Sequence, residues 1–284
     1  MNVLITGKNG QLGSELQEVS LESRHTFIFC NSHECDIRDQ NVIETIVLKH
    51  KINTIINCAA YTAVDDAEDD EKNAMNVNFI GVQNLNTVAE KFKIKLIHIS
   101  TDYVFSGEKS KPYKTEDAVS PIGVYGKSKR KGEEVILNSN TDAIAIRTSW
   151  LYSSFGNNFV KTMLRLGETK TALNVVNDQF GSPTYARDLA RFCIQLLDVE
   201  SLNSKQRIYH YANTGAISWC EFAKEIMSLA KLNCEIHPVS TDQYPTKADR
   251  PKYSVLSNEA IQTDFNVSIS FWKDALQDCI NRLV

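Results

Sequence analysis

The chain predicts an α/β fold, a doubly wound parallel sheet with helices on both faces, and three observations support this. Short β-rich runs, NVLIT (2–6), TFIFC (26–30), TIINC (54–58), KLIHIS (95–100) and AIAIRT (143–148), alternate with segments of helical character at 11–19, 38–50, 71–92 and 127–138. Strands that alternate with helical crossovers pair in parallel. The runs are nearly continuous in apolar residues, as strands buried on both faces are.

The first strand feeds directly into TGKNGQLG (6–13), with Gly7, Gly10 and Gly13 in a G-x-x-G-x-x-G spacing. One glycine permits a sharp turn, a second lets backbone approach a pyrophosphate, and a third allows close helix–strand packing. The helix that opens there, through Gln11 and Leu12, presents free N–H groups and a positive dipole end. A glycine-rich turn without a ligand uses the same residues, but strand, turn and helix together favour a dinucleotide.

After the second strand, CNSHECDIRD places no carboxylate directly at the strand end; Glu34 and Asp36 come several residues later. A strand-end carboxylate would repel the extra phosphate of NADP, so its absence permits NADPH and favours it slightly over NADH, although no Arg clamp selects it. The fourth strand ends in Ser100, Thr101 and Asp102, at the edge where open α/β sheets bind ligands. VYGKSKRKGEE (124–134) follows, with Tyr125 and Lys129 on one helical face, one turn apart. With ten tyrosines in the chain, chance alone can produce such a pair. Thr101 in register turns it into a candidate constellation for ketone reduction: hydride addition puts negative charge on oxygen, Thr101 steadies it, Tyr125 protonates it, and Lys129, with the positive charge of the nicotinamide after hydride loss, supplies a field that lowers the phenol pKa.

Beyond about residue 150 the rhythm loosens. A polar segment, SSFGNN, leads to a helix near 158–166, then LNVVN, a helix near 184–198, RIYHYAN, the amphipathic SWCEFAKEIMSLA (218–230) and a last helix near 271–283. The division expected is a dinucleotide-binding domain over 1–150 and a mainly substrate-binding lobe over 151–284, interleaved with returns to the main sheet.

Composition sets the outer limits. A chain of 284 residues with 42% hydrophobic residues can bury a substantial core, and a formal charge of −4 gives no basic footprint for nucleic acid or an anionic membrane. Seven cysteines without a Cys-x-x-Cys pair suit reduced thiols, and Cys30, His33 and Cys35 lack a fourth ligand for zinc. MNVLIT carries no signal-peptide pattern, and no apolar stretch approaches the roughly 20 residues of a membrane span; the expectation is a cytoplasmic protein.

Taken in order, TGKNGQLG, NCAAYTAVDDAE, STDYVFSG, VYGKSK, RTSWLY, GNNFVKTMLRLG, VNDQFGSPT and RPKYSVLS resemble the extended short-chain dehydrogenase/reductase family over nearly the whole chain. The likeness is to its branch that reduces a nucleotide-bound 4-keto sugar. This resemblance implies a Rossmann-type sheet and NAD(P)H-dependent reduction of dTDP-4-dehydro-6-deoxy-L-mannose to dTDP-L-rhamnose. It implies a catalytic triad of Thr101, Tyr125 and Lys129, and cofactor contacts at Gly7, Gly10, Gln11, Leu12, Gly13, Asp36, Ile37, Ala59, Ala60 and Tyr61 besides Tyr125 and Lys129. Sugar contacts fall on Val64, Thr101, Asp102, Tyr103, Tyr125 and Trp150; Asn158, with its neighbour Asn157, Gln179 and Arg250 are candidates for the diphosphate and base.

Bland alternatives stand beside several of these. Trp150 also suits a core, Val64 a loop, Ala59 to Tyr61 a tight βα turn, Asn158 a helix start and Arg250 a solvated surface. Lys127, Arg130 and Lys131 make the catalytic helix more basic than in many relatives, as a solvated face or as an aid to an anionic substrate. Some relatives bind Mg²⁺ at a subunit contact, which leaves a homodimer open, but no complete ligand set maps here and no metal site is assigned. Two other readings remain: an epimerase or dehydratase on the same scaffold, and a noncatalytic dinucleotide-binding regulatory subunit. Thr101-Asp102-Tyr103 stands where dehydratases commonly carry Thr-Asp-Glu, which argues against dehydration.

Overall fold

The computed structural model describes residues 1–283. Four βα steps and a fifth strand build most of the main sheet: β1 (Asn2–Thr6), α1 (Gln11–Val19), β2 (Thr26–Cys30), α2 (Gln40–His50), β3 (Thr54–Asn57), then the short helices α3 (Val64–Ala67) and α4 (Glu71–Met75), α5 (Gly81–Phe92), β4 (Lys95–Thr101), α6 (Val124–Leu137) and β5 (Ala143–Thr148). The remainder comprises β6 (Leu151–Tyr152), α7 (Phe159–Gly167), β7 (Ala172–Val176), β8 (Phe180–Gly181), β9 (Thr184–Tyr185), α8 (Ala186–Gln195), β10 (Ile208–His210), β11 (Ile217–Ser218), α9 (Trp219–Leu229), β12 (Glu235–Val239), α10 (Glu259–Phe265) and α11 (Trp272–Asn281).

The central sheet is six-stranded and entirely parallel, in the order β10-β5-β4-β3-β1-β2. Successive residues of β1 face opposite sides: Val3 and Ile5 join Leu12, Leu16, Leu189 and Phe192 under α1 and α8, while Leu4 joins Ile43, Val47, Val82 and Leu85 under α2 and α5. Two-sided burial is why these strands lack polar alternation. A third core, with Val160, Met163, Phe222, Ile226 and Leu276, gathers α7, α9 and α11 beside the small sheets formed by β7 with β12 and β8 with β11.

The chain leaves β1 toward β2, then crosses to the other side for β3, so the order reverses between β1 and β3. Such a reversal opens a crevice at the carboxyl ends of the strands. Gly7 fills that point with φ +72°, and a Cβ there would stand 2.7 Å from the Ala59 nitrogen, so only glycine fits.

The long helical run predicted over 71–92 is α4, a π-helical turn at Asn76–Ile80, and α5. The turn presents Asn78, whose amide joins the Tyr61 backbone (2.9 and 3.0 Å) to Ser128 Oγ (2.9 Å), tying the loop after β3 to α6. α6 begins at Val124, three residues earlier than the sequence suggested, and a carboxylate from a distant segment accounts for the earlier start. Gly123 at its N-cap offers no side chain, and Glu68 Oε1 accepts from the Val124 N–H at 2.9 Å instead.

Candidate active site

A cleft of about 880 Å³ runs along the carboxyl edge of the sheet. Its floor at one end is the glycine turn. The first turn of α1 has no side-chain cap, and its N-cap, Gly10, is extended. A Cβ on Gly13 would lie 2.3 Å from the Gly7 carbonyl oxygen, so the turn is as tight as backbone allows. Uncapped N–H groups at a helix N-terminus on the crevice fit a pyrophosphate. All the residues predicted for the dinucleotide, from Gly7, Gly10, Gln11, Leu12 and Gly13 through Asp36, Ile37, Ala59, Ala60 and Tyr61 to Tyr125 and Lys129, line this one cleft.

Beyond β2, Glu34 accepts from Lys8 Nζ at 2.7 Å and from the Asn31 N–H at 2.8 Å, whereas Asp36 is gripped by Arg38 through Nε (2.9 Å) and Nη2 (2.7 Å). The Arg38 guanidinium, with burial opposing, holds the Asp36 carboxyl below its ordinary range. Arg38 also lines the cleft and was missed in the sequence, where it reads only as the third residue of DIRD.

At the other end stand Thr101, Asp102, Tyr103, Tyr125, Lys129 and Trp150, with Val64 at the start of α3. Thr101 closes β4; its Oγ1 donates to Asp102 Oδ1 at 3.1 Å and accepts from the Tyr103 N–H at 3.2 Å. The Tyr103 and Tyr125 rings meet edge to face at 5.5 Å. Burial raises the Tyr125 phenol above its ordinary range, and a hydrogen bond with Thr101 works against that. Lys129 is buried, donates to the Ile99 carbonyl at 2.6 Å, and is lowered to about 8 by burial, with the Glu133 carboxylate opposing. Nζ is turned to the strand backbone, and burial governs the phenol in the cofactor-free protein. Burial also pushes Asp102 up to about 6, with the Ser254 and Thr101 hydroxyls opposing.

Glu133 anchors α6 to the sheet. Arg147 of β5 meets it through Nε (2.7 Å) and Nη2 (2.8 Å), and Ser100, next to Thr101, donates to Oε1 at 2.7 Å. Both partners of the pair are buried.

Trp150 adopts φ 47° and stacks on Trp219 at 3.5 Å between ring centroids, while Gly181 leaves room for its ring edge. It serves as a packed aromatic and a cleft wall at once. Asn158, Gln179 and Arg250 lie outside the cleft lining. Asn158 caps α7, its Oδ1 accepting from the Lys161 N–H at 3.0 Å, and its Nδ2 donates to Gln11 Oε1 at 3.0 Å, the helix-start alternative. Gln179 is buried and donates to Thr241 Oγ1 at 3.1 Å. Arg250 is not simply solvated: Nη1 donates to the Tyr103 hydroxyl at 2.9 Å and Nη2 to Asp65 at 2.7 Å, tying its segment to Tyr103 and to α3. On α6, Arg130 and Lys131 pair with Glu133 and Glu134 and, like Lys127, stay outside the cleft, as a solvated face does. Among the described residues, no group of three or more His, Cys, Asp or Glu is placed to hold a metal, and no helix is long and apolar enough to cross a membrane.

A glycine-cradled crevice with a Thr–Tyr–Lys set at the same sheet edge defines a Rossmann-type oxidoreductase that takes a nicotinamide dinucleotide. The profile of the family described as RmlD substrate binding domain matches residues 1–284, and the chain belongs to that family. It is 40% identical over 285 residues to the dTDP-4-dehydrorhamnose reductase of Aggregatibacter actinomycetemcomitans, covering 97% of each chain. It is also 40% identical over 276 residues to the spore coat polysaccharide biosynthesis protein SpsK of Bacillus subtilis, covering 97% of this chain and 95% of the other. Among solved structures, the dTDP-4-dehydrorhamnose reductase of Bacillus anthracis in complex with NADP superposes with a TM-score of 0.94 at 38% identity, covering 99% of both chains.

Proposed function

We propose that this chain reduces the 4-keto group of dTDP-4-dehydro-6-deoxy-L-mannose to give dTDP-L-rhamnose, with Tyr125 as proton donor and NADPH favoured over NADH. The observation that carries the proposal is the meeting of Thr101, Tyr125 and Lys129 in the cleft whose far end is the uncapped N-terminus of α1. A bound nicotinamide dinucleotide would supply the hydride. Gly7, Gly10 and Gly13 would seat its pyrophosphate, and the Arg38 that neutralises Asp36 makes the β2 end tolerant of an extra phosphate.

Thr101 and Tyr125 would hydrogen-bond to the same carbonyl oxygen, Thr101 steadying the charge as it develops. A phenol raised by burial keeps its proton at neutral pH and yields it only to a strong base such as a new alkoxide, which suits reduction. Trp150 and Val64 would bound the deoxysugar, and Arg250 would hold Tyr103 against it. In this reading residues 1–150 serve mainly the dinucleotide and residues 151–284 mainly the sugar nucleotide. Tyr103, hydrogen-bonded to Arg250, occupies the place where a dehydratase needs a carboxylic acid.

The test is product identification by NMR after incubating the protein with a panel of nucleotide keto-sugars and each reduced cofactor. The proposal expects dTDP-L-rhamnose and cofactor oxidation. Cofactor binding without oxidation on any sugar would instead make the chain a regulatory subunit.

A further inference from the structure

Behind Lys129 lies a line of buried polar groups drawn from three strands. Thr6 Oγ1 donates to Asn57 Oδ1 at 2.7 Å, Asn57 Nδ2 meets His98 Nδ1 at 3.0 Å, and His98 Nε2 meets Lys129 Nζ at 3.4 Å. All four residues are fully or almost fully buried, so water does not settle their donors and acceptors.

The backbone fixes the order. The Ala59 N–H donates to Asn57 Oδ1 at 3.2 Å and the Thr6 hydroxyl at 2.7 Å, so the Asn57 oxygen points to Ala59 and Thr6 and its nitrogen points to His98. Nδ1 of His98 therefore accepts, and a neutral imidazole with a bare Nδ1 carries its proton on Nε2. That N–H faces Lys129 Nζ at 3.4 Å, donor to donor, so no hydrogen bond joins the two while Nζ is an ammonium.

A lysine ammonium has three protons and no lone pair, and the Ile99 carbonyl takes one of them at 2.6 Å. We infer that His98 is a positioning residue for Lys129: by facing Nζ with an N–H instead of a lone pair, it denies the ammonium a second acceptor in the core and turns the remaining protons to the cleft. This inference rests on the proposed function above, which places Lys129 in the reacting set with Thr101 and Tyr125. The groups facing Nζ are Glu133 on its own helix, Cys58 just past β3, and His98 on β4; burial lowers Lys129 to about 8 while Glu133 and Cys58 oppose. Burial first, and Lys129 second, hold His98 well below its ordinary range, so the imidazole stays neutral.

Two-bond ¹H–¹⁵N correlation spectra of the intact ¹⁵N-labelled protein, recorded between about pH 6 and 8 without ligand, read the tautomer directly. The His98 signals, assigned by their loss in His98→Gln, are expected to show a protonated Nε2 and a bare Nδ1 that do not titrate. A protonated Nδ1, or an imidazolium in that range, overturns the inference, and neither result depends on turnover or on the substrate being right.

The pH profile of kcat is the second arm. Loss of the Lys129 charge sets its alkaline limb, present below the lysine pKa and lost above it. His98→Gln, whose carbonyl oxygen is able to turn to Nζ, should raise that limb by about one pH unit, tenfold in proton affinity, while His98→Leu should not raise it. An unmoved limb in the Gln variant, or an equal rise in both, overturns the inference.

Discussion

Replacing Arg147 by Met tests whether the Glu133–Arg147 pair holds α6 on the sheet. Both groups are buried, Arg147 meets the carboxylate through two nitrogens, and its guanidinium stacks 4.9 Å from the Phe105 ring centre. Removing one partner of such a pair costs about 3–5 kcal/mol because the other charge is left buried. Here Arg130 still reaches Glu133 at 3.1 Å and Ser100 at 2.7 Å, which places the loss at the low end, about 3 kcal/mol. For a chain of 284 residues, with an unfolding entropy of about 0.6 kcal/mol per kelvin, that is a fall in Tm of about 5 °C, read by circular dichroism or calorimetry. Arg147→Met with Glu133→Leu should recover most of it, since an apolar pair of similar volume is often neutral. Arg147, hydrogen bonds and Arg130 hold Glu133 below its ordinary range despite burial, so its contribution is present above the unfolded carboxylate pKa and is lost as pH falls through the folded one. The deficit of the single variant should therefore shrink in acid. A single variant as stable as the parent at pH 7, or one no better when Glu133 is also replaced, would refute the reasoning.

Three further outcomes follow from the same geometry. Gly13→Ala sets a methyl 2.3 Å from the Gly7 carbonyl oxygen and should weaken NADPH binding at least about tenfold by fluorescence titration, for an overpacking cost of about 1–3 kcal/mol. Glu68→Ala removes the acceptor of the Val124 N–H; stability should fall by about 1 kcal/mol, and kcat several-fold, as Tyr125 loses the fixed start of its helix. Asp102 is a carboxyl with a raised pKa, so its favourable term is present below the unfolded pKa and lost as pH rises through about 6; Asp102→Asn should stabilise the protein by up to about 3 kcal/mol at pH 7.5 and little at pH 4, in denaturant titrations at both values.

Local features of the chain were legible because their causes are local. Continuous apolar strands, the glycine spacing and the one-turn offset of Tyr125 and Lys129 are written in neighbouring residues, and the sheet and cleft follow from them. What was missed is set by partners far apart in sequence. Glu68 starts α6 from 56 residues away, Arg250 reaches Asp65 across 185, and Arg147 reaches Glu133 from the next strand. Burial of the Tyr125 phenol, a property of the folded cleft, was not legible in the spacing of Tyr125 and Lys129. Asn158 read equally as a ligand residue and as a helix start, and its carbonyl oxygen caps α7.

The central claim is that the Tyr125 hydroxyl protonates the oxygen left by hydride addition. Single-turnover reduction of dTDP-4-dehydro-6-deoxy-L-mannose by Tyr125→Phe, alongside its NADPH affinity, tests it most directly. The account predicts a rate lower by about 10²–10⁴ with cofactor affinity largely kept, because the phenol acts only as the charge develops. A rate within a few-fold of the parent would contradict it.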